Sequence, residues 1–469
     1  MLDDHENLGV MGAGVEDIGS LKRYLETGNA GPLGRPVAKL SFLIDDNAWP
    51  SSPESFKRTS LYFHLLTGIV LFAALRLLLR SVVARSKSEW LALLVMAFFL
   101  LHPLQVSTTM YVVQRMTVLS GLFVLVGVFF HVYLRTKYSE LRPRELAFLT
   151  LSLGVWGGLS ILSKESGVLL PVFILIIEAT LLSGLRGGRL FSFWFYVCLV
   201  LPTLVLLFYI FYWPNWVGSY LHRDFTMLDR ISTQPVVLVD YLRAIFSMRS
   251  YGLGLYHDDF TVYSSIWHWK PLLALGFIFS SIGLSVYYRK KYPVVCFGVL
   301  WFFGGHLLES TVLPLEMYFE HRNYIPIVGP ILVFSYFLCC WFPKAVPKLS
   351  AISMVMLFWF LLVSAFSLHG TAKNWSDKNI MVSVWASEHP DSSRAQMAYA
   401  HLLAMVKLPE QALDVLDELY KKNPSDLSVP VFSQDIACFF DLPRRYDFND
   451  LAQRVSEHDL SNALRVAVK

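Results

Sequence analysis

The sequence has little charge for its length. Only 16% of its 469 residues are Asp, Glu, Lys or Arg, whereas 55% are hydrophobic. This composition excludes an ordinary water-soluble fold and is typical of a helical protein with many membrane spans. Lipid offers the backbone no hydrogen-bond partners, so each span must satisfy its own N–H and C=O groups as a helix. We therefore predict an all-α polytopic membrane protein.

Cysteine is scarce as well, and its placement excludes a disulfide framework. Four of the five cysteines lie in apolar runs, where small buried thiols are common, and the fifth stands alone in a polar tail. They are Cys198, Cys296, Cys339, Cys340 and Cys438. The net charge of +4 is also small, so we predict no nucleic-acid partner.

The apolar runs give about ten candidate spans. They lie near 58–80, 90–104, 116–134, 146–162, 166–184, 191–213, 271–288, 293–309, 324–341 and 349–369. A span needs roughly 20 residues, so 90–104, 146–162 and 293–309 are the least secure. The prediction divides the chain into a polar segment 1–57, a membrane domain 58–369 with one long loop at 214–270, and a polar domain 370–469.

Basic residues occupy every second loop and so predict the orientation. They follow the first, third, fifth, seventh and ninth runs, for example Arg80, Arg144 and Lys291. By the positive-inside rule these loops are cytoplasmic. Segment 1–57, loop 214–270 and the tail after 370 then lie on the outer face, and a bacterial inner membrane is the expected location.

The start of the chain conflicts with that orientation. "MLDDHENLGVMGAG" has neither a basic region nor an apolar region that could carry residues 1–57 across a membrane. We expect a further transmembrane helix upstream, with Asp3 directly beyond it. The alternative is that the segment crosses together with the 58–80 span.

An acidic cluster opens the chain and is the leading catalytic candidate. Asp3, Asp4 and Glu6 lie within four residues, with a histidine between them. Paired acids beside a membrane suit a general base or a metal-assisted site, because an attacking hydroxyl must lose its proton. The alternative is a solvated acidic turn that caps a helix.

Further charged residues fall on the same predicted face. They are Arg35, His102, Arg115, Lys164, Glu165, Glu309, Glu316, Glu320, His321 and Arg322. Charges near a membrane core are costly unless they pair or face water, so each is a candidate for function. For each one singly, snorkelling or helix capping is an equal explanation.

Five segments in this order resemble the GT-C superfamily of polytopic glycosyltransferases, most closely the bacterial relatives of transmembrane and tetratricopeptide-repeat O-mannosyltransferase-like proteins. The segments are "DDHENL", "GRPVAKLSF", "LHPLQVSTTMYVVQRMTVLSGLFVL", "LSKESGVLLPVFILIIE" and "EHRNYIP". The resemblance runs from residue 3 to about residue 425. The sequence departs from the pattern in having no helix before the acidic motif.

The resemblance implies a sugar donor carried on a polyprenyl phosphate and used on the outer face, with a protein or glycan acceptor. It makes Asp3 or Asp4 the general base, and we prefer Asp4. Arg115, Lys164 and Arg322 would bind the lipid phosphate, since fixed cations stabilise charge on a leaving group. The second tier is Glu6, Arg35, His102, Glu165, Glu320 and His321.

The long loop at 214–270 contains two separate features. Apolar residues from Val236 to Ile245 predict a helix that lies in the membrane interface, flanked by tryptophans. His257, Asp258 and Asp259 form a triplet able to bind a divalent metal, the one cofactor we consider. A solvated turn explains the same triplet.

The tail has the helix, turn, helix pattern of a tetratricopeptide unit. Alanines at 395, 398 and 412 fit the helix crossing, and Pro424 follows the second helix. One unit is too few to stand alone, so the tail should pack on the membrane domain or on a protein partner. The alternative is a generic helical hairpin.

Two functions of different classes follow. One is a lipid-linked sugar transferase. The other is a non-catalytic membrane scaffold whose tail recruits envelope proteins.

Overall fold

The structure is a computed structural model, and it describes residues 7–12, 14–27, 31–138, 140–185, 187–212 and 216–457. All regular secondary structure in these ranges is helical, which confirms the all-α prediction. In chain order the helices of the first half are α1 (Ile18–Glu26), α2 (Pro36–Phe42), α3 (Pro53–Leu79), α4 (Arg85–Leu101), α5 (Gln105–Met110), α6 (Val112–Lys137), α7 (Pro143–Ser163) and α8 (Leu170–Ala179). They continue with α9 (Arg189–Tyr212), α10 (Met227–Ser247), α11 (Trp269–Tyr288), α12 (Pro293–Gly305), α13 (Val328–Ala345) and α14 (Pro347–Asn374). The tail has α15 (Lys378–Glu388), α16 (Ser393–Met405), α17 (Pro409–Lys422), α18 (Ser428–Phe439) and α19 (Phe448–Glu457).

Seven of the described helices are long and apolar enough to cross a membrane, as expected for a membrane protein. These are α3, α6, α7, α9, α11, α13 and α14. The other three predicted spans correspond to shorter helices. Segment 90–104 falls in α4 with 17 residues, 293–309 in α12 with 13, and 166–184 in a 3₁₀ turn followed by α8 with 10. The count of ten therefore stays a prediction.

Proline begins several of these helices. It stands in the first turn of α3, α7, α12 and α17, as Pro53, Pro143, Pro293 and Pro409. The first N–H groups of a helix have no partner within it, so proline loses nothing there and its ring fixes the helical φ.

Six helices close into a ring. Contacts run from α6 to α3, then to α4, α13, α12 and α8, and from α8 back to α6. Helix α14 packs outside the ring against α4, and α11 packs outside against α12. Helix α6 is the most buried of the seven candidate spans in the described residues. In its most apolar 18-residue stretch 72% of the residues are buried, compared with 17% in that of α14.

Small residues allow the close packing around α6. A Cβ on Gly121 would lie 2.8 Å from the Tyr324 ring, and one on Gly127 would lie 2.9 Å from Leu170. Van der Waals packing drives helix association in lipid, so glycine at a crossing lets the backbones approach.

The tail is a separate helical layer whose helices pack in sequence, α15 on α16, α16 on α17 and α17 on α18. Ala400, Ala412 and Leu416 are fully buried between them. Trp385 donates from Nε1 to the carbonyl of Leu253 at 3.1 Å and so fixes α15 to the loop before α11. The tail thus packs on the membrane domain, and its assignment to tetratricopeptide repeats stays a prediction.

Candidate functional site

A cleft opens where the ring helices end on one side. It is bounded by the start of α6, the hairpin between α7 and α8, the end of α12 and the loop that leads to α13. The cleft is partly open to solvent. The lining includes Thr117, Ser120, Gly121, Val124, Lys164, Ser166, Leu169, Phe173, Gly305, Glu309, His321, Arg322, Tyr324, Ile325 and Pro326. The structure thus brings together Lys164 and Arg322, two of the three predicted phosphate-binding residues, and His321 of the second tier.

Glu309 joins the two predicted cations. Lys164 Nζ lies 3.0 Å from one carboxylate oxygen of Glu309, and Arg322 Nε lies 3.6 Å from the other. Arg322 also donates to two backbone carbonyls, Glu316 at 2.6 Å and Met317 at 3.1 Å. All three charged side chains are nearly buried, at 13% exposure or less. The guanidinium has five N–H donors and the ammonium three, so both keep donors beyond these contacts.

The electrostatics of the trio follow from burial and pairing. Burial disfavours a charged Glu309, but the positive charges of Lys164 and Arg322 outweigh this effect and lower the pKa of its carboxyl to about 2. Burial lowers the pKa of the Lys164 ammonium, and Glu309 opposes that shift. Burial and the charge of Lys164 together hold the pKa of His321 well below its usual range, so this imidazole is neutral at pH 7.

A second ion pair closes the edge of the site. Arg35 donates from Nη2 and Nε to one carboxylate oxygen of Glu165, at 2.7 and 3.0 Å. Gly31 lies against this pair with φ +74°, and a Cβ there would approach Glu165 Oε1 to 2.4 Å. The pair therefore fixes segment 31–36 onto the hairpin that carries Lys164.

Helix α10 shapes the loop that carries Glu309 and Arg322. Arg230 is fully buried and donates to the carbonyls of Glu309 at 2.6 Å and Thr311 at 2.9 Å. Gln234 donates to Met317 at 2.8 Å, and Tyr241 donates to Phe319 at 2.9 Å. None of these residues is predicted from the sequence, although positions 230, 234, 237 and 241 share one helical face. The helix predicted in this loop is present, and much of it is buried in the protein.

Arg115 and His102 do not line the cleft. Arg115 is fully buried, pairs with Asp45 at 2.5 Å and donates to Ser60 and to the carbonyls of Ser41 and Phe56. His102 is fully buried too, with Nδ1 accepting from Leu104 N and Nε2 on the carbonyl of Ile245. Both side chains are used within the protein, so neither belongs to the candidate site.

The acidic candidates Asp3, Asp4 and Glu6 lie outside the described residues.

Glu320 belongs to a second cluster. Its Oε1 accepts from Gly254 N at 2.9 Å and lies 2.7 Å from His257 Nε2. Asp259 pairs with His389 at 2.8 Å, and Asp258 accepts from Ser392 at 2.6 Å at the start of α16. Asp258 therefore lies apart from the other two residues of the predicted metal triplet, because it caps a tail helix. His389 of the tail lies beside Asp259 instead.

Comparison with protein-family models, with curated proteins and with solved structures finds no match to this chain. The cleft is therefore the feature of this chain that bears on its function. Its buried cations, neutral imidazole and apolar wall suit an anionic headgroup with a hydrocarbon chain attached.

Proposed function

We propose that the protein is a membrane glycosyltransferase that moves a sugar from a polyprenyl-phosphate donor to a protein or glycan acceptor on the outer face. The observation that carries this proposal is the cleft with Lys164, His321 and Arg322 buried at one end of the helix ring. The resemblance to GT-C enzymes supports the same substrate class.

Charge favours a phosphate in this cleft. Arg35, Lys164 and Arg322 supply three positive charges and Glu165 and Glu309 two negative ones, which leaves +1 with His321 neutral. Charge-assisted hydrogen bonds to phosphate are strong where water is largely excluded. The spare donors of Lys164 and Arg322 would bind the phosphate oxygens.

The apolar wall favours a lipid-linked donor over a free sugar phosphate. Val124, Leu169, Phe173 and Ile325 line the cleft beside the cations. Burial of apolar surface gains roughly 25 cal/mol per Å², so an isoprenoid chain would add affinity that a soluble donor lacks.

Glu309 is a poor general base, because its cation partners lower its pKa to about 2. An efficient base has a pKa nearer the working pH. The proposed base is therefore Asp4, or its neighbour Asp3, which removes the proton of the acceptor hydroxyl as it attacks the sugar. Breaking the sugar–phosphate bond then leaves the charge on the phosphate, beside Lys164 and Arg322.

The proposed setting is a bacterial inner membrane, with the described cleft and the tail on the outer side. The structure places Lys57 and Trp375 at the same end, with Lys57 Nζ donating to the Trp375 carbonyl at 3.0 Å. The tail would contact the protein acceptor or a partner.

A binding experiment tests the proposal. Lys164→Met alone leaves Glu309 with one cation partner, so we expect a loss of roughly 3–5 kcal/mol in stability. The double variant Lys164→Met/Glu309→Gln removes the ion pair but leaves the net charge at +1. The charges that remain are those of Arg35, Arg322 and Glu165. This variant should restore most stability while binding of labelled polyprenyl phosphate to purified protein falls roughly ten- to a hundred-fold.

The matched control is Lys137→Met, at the exposed far end of α6. It should bind the lipid phosphate as the unmodified protein does. If the folded double variant also retains full affinity, the cleft does not bind the donor phosphate, and the scaffold function becomes the better explanation.

A further inference from the structure

A cluster of metal-ligating side chains joins the loop before α11 to the tail. One nitrogen each of His257 and His389 and one carboxylate oxygen of Asp259 lie within 4.8 Å of one another. His389 follows the end of α15 and is 130 residues away from Asp259 along the chain. Only the tertiary structure therefore brings the three side chains together.

Each histidine already faces a carboxylate. Glu320 Oε1 lies 2.7 Å from Nε2 of His257, which leaves Nδ1 of that ring for another partner. Asp259 Oδ2 lies 2.8 Å from Nδ1 of His389. A carboxylate in the position of Glu320 behind His257 is the usual outer shell of a metal-binding histidine, because it fixes the tautomer and the ring orientation.

His389 has an unmet hydrogen-bonding group. It is 7% exposed, and its Nε2 is buried with no hydrogen-bond partner among the described residues. A buried polar nitrogen without a partner costs free energy, roughly 1–3 kcal/mol. Because Nε2 makes no hydrogen bond, it can carry the proton of the ring when Nδ1 binds an ion, and no existing hydrogen bond at Nε2 is broken.

The local charge attracts a cation. In the metal-binding state both imidazoles must be neutral, so Asp259 and Glu320 then give the four side chains a charge of −2. Of the three side chains, His257 also lines a cleft that is partly open to solvent.

We propose that His257, Asp259 and His389 bind a divalent transition metal, with Glu320 as the residue that positions His257. Two nitrogen donors and one oxygen donor suit Zn²⁺, and three protein ligands leave a fourth position for water. The ion replaces the proton on Nδ1 of His389 that Asp259 accepts. A protonated ring releases that proton to solvent, whereas in a neutral ring it moves to Nε2, so the bound imidazole keeps one N–H in either case.

The proposed ion acts as a cross-link. It ties the loop that carries His257 to the first helix of the tail, beside the hydrogen bonds from Gly252 N to Glu388 and from Trp385 to Leu253. This inference is independent of the transferase proposal, since binding of the ion does not depend on any donor lipid.

Metal binding to full-length purified protein tests the site. After chelation and dialysis, we expect the protein to bind about one Zn²⁺ and to melt at a higher temperature with the ion bound. His389→Gln and Asp259→Asn should each weaken the affinity by more than about a hundred-fold, and Glu320→Gln by roughly ten- to a hundred-fold. His401→Gln, an exposed histidine on α16, is the matched control and should bind as the unmodified protein does.

A second measurement does not depend on the variants folding. Co²⁺ added to the unmodified metal-free protein should give the intense visible absorption of a four-coordinate site with nitrogen and oxygen ligands. Weak octahedral absorption, no Zn²⁺ bound at micromolar concentration, or full affinity in folded His389→Gln would each overturn the assignment.

Discussion

At the scale of single residues, the buried arginines show how the same side chain serves different purposes. Arg115 and Arg230 both lie at 0% exposure and bind backbone carbonyls, whereas Arg322 binds backbone carbonyls and also lines the cleft. Sequence position near the end of a span does not distinguish these cases. The distinction depends on which groups the fold places around each guanidinium.

Arg115 is predicted to stabilise the protein and to leave donor binding unchanged. Arg115→Met strands Asp45, which is 4% exposed, so the free energy of unfolding should fall by roughly 3–5 kcal/mol. Adding Asp45→Asn should recover part of that loss. Thermal unfolding in detergent measures both effects, while a stable Arg115→Met protein that no longer binds polyprenyl phosphate would return Arg115 to the phosphate site.

We predict that replacing the proposed base, Asp4, with asparagine slows sugar transfer strongly, although the side chain keeps its shape. Asp4→Asn keeps the shape of the side chain but removes the basic group, so transfer should fall by roughly 10²- to 10⁴-fold. Asp3→Asn and the double variant establish which acid acts. The assay follows sugar transfer by the full-length protein.

The control for this assay is Glu16→Gln. Glu16 is an exposed carboxylate in the same segment 1–57, whereas Asp45 pairs with buried Arg115 and its replacement would disturb the fold. Wild-type turnover in Asp3→Asn, Asp4→Asn and the double variant would exclude both acids as the base.

At the scale of elements, the hairpin between α7 and α8 sets the position of Lys164. Lys164 N donates to Ser160 O at 2.9 Å, and Gly167 N donates to Lys164 O at 3.0 Å. Gly167 packs directly on the last turns of α7, where a Cβ would lie 2.2 Å from Ser160 Oγ and 2.5 Å from its carbonyl carbon. The turn therefore has no room for a side chain at this position.

Gly167→Ala should displace this hairpin. Because the nearest contact includes backbone, we expect a loss of roughly 1–3 kcal/mol in stability and weaker binding of polyprenyl phosphate. Gly158→Ala in α7 is the matched control, since a Cβ added at Gly158 would meet nothing within 4 Å. Alanine favours a helix over glycine by about 1 kcal/mol, so this variant should be neutral or more stable. Equal melting temperatures for the two variants would contradict the close packing of Gly167.

At the scale of the whole molecule, the helix ring separates two ends. Lys57, Lys164, Arg322 and the start of the tail lie at one end. At the other, Arg80 pairs with Glu89, and Arg135 binds both Glu178 and the carbonyl of Leu185. The two ends match the alternation of basic loops in the sequence.

Topology is predicted from that alternation. Reporter fusions after Lys87, Arg144 and Lys291 should report the cytoplasm, and fusions after Tyr220 and Lys373 the outer side. Enzymatic reporters that are active on only one side of the membrane provide the measurement. A cytoplasmic signal at Lys373 would invert the proposed orientation and place the cleft on the wrong side for an outer-face donor.

The sequence by itself determined the helical class and most helix positions. Apolar runs that enter a bilayer leave the backbone no alternative to a helix, and prolines at 53, 143 and 293 mark where three of the helices begin. It also assigned Lys164, Glu165, His321 and Arg322 to one end, because charges between apolar runs must lie at the membrane surface.

Only the tertiary structure decided which of these residues share a site. Pairing of Lys164 with Glu309, of Arg35 with Glu165 and of Asp259 with His389 joins side chains about 130 residues or more apart. Local periodicity contains no information on such contacts, since they depend on how the helices close into a ring. The same closure buried Arg115 among carbonyl groups and left Lys164 and Arg322 beside the cleft.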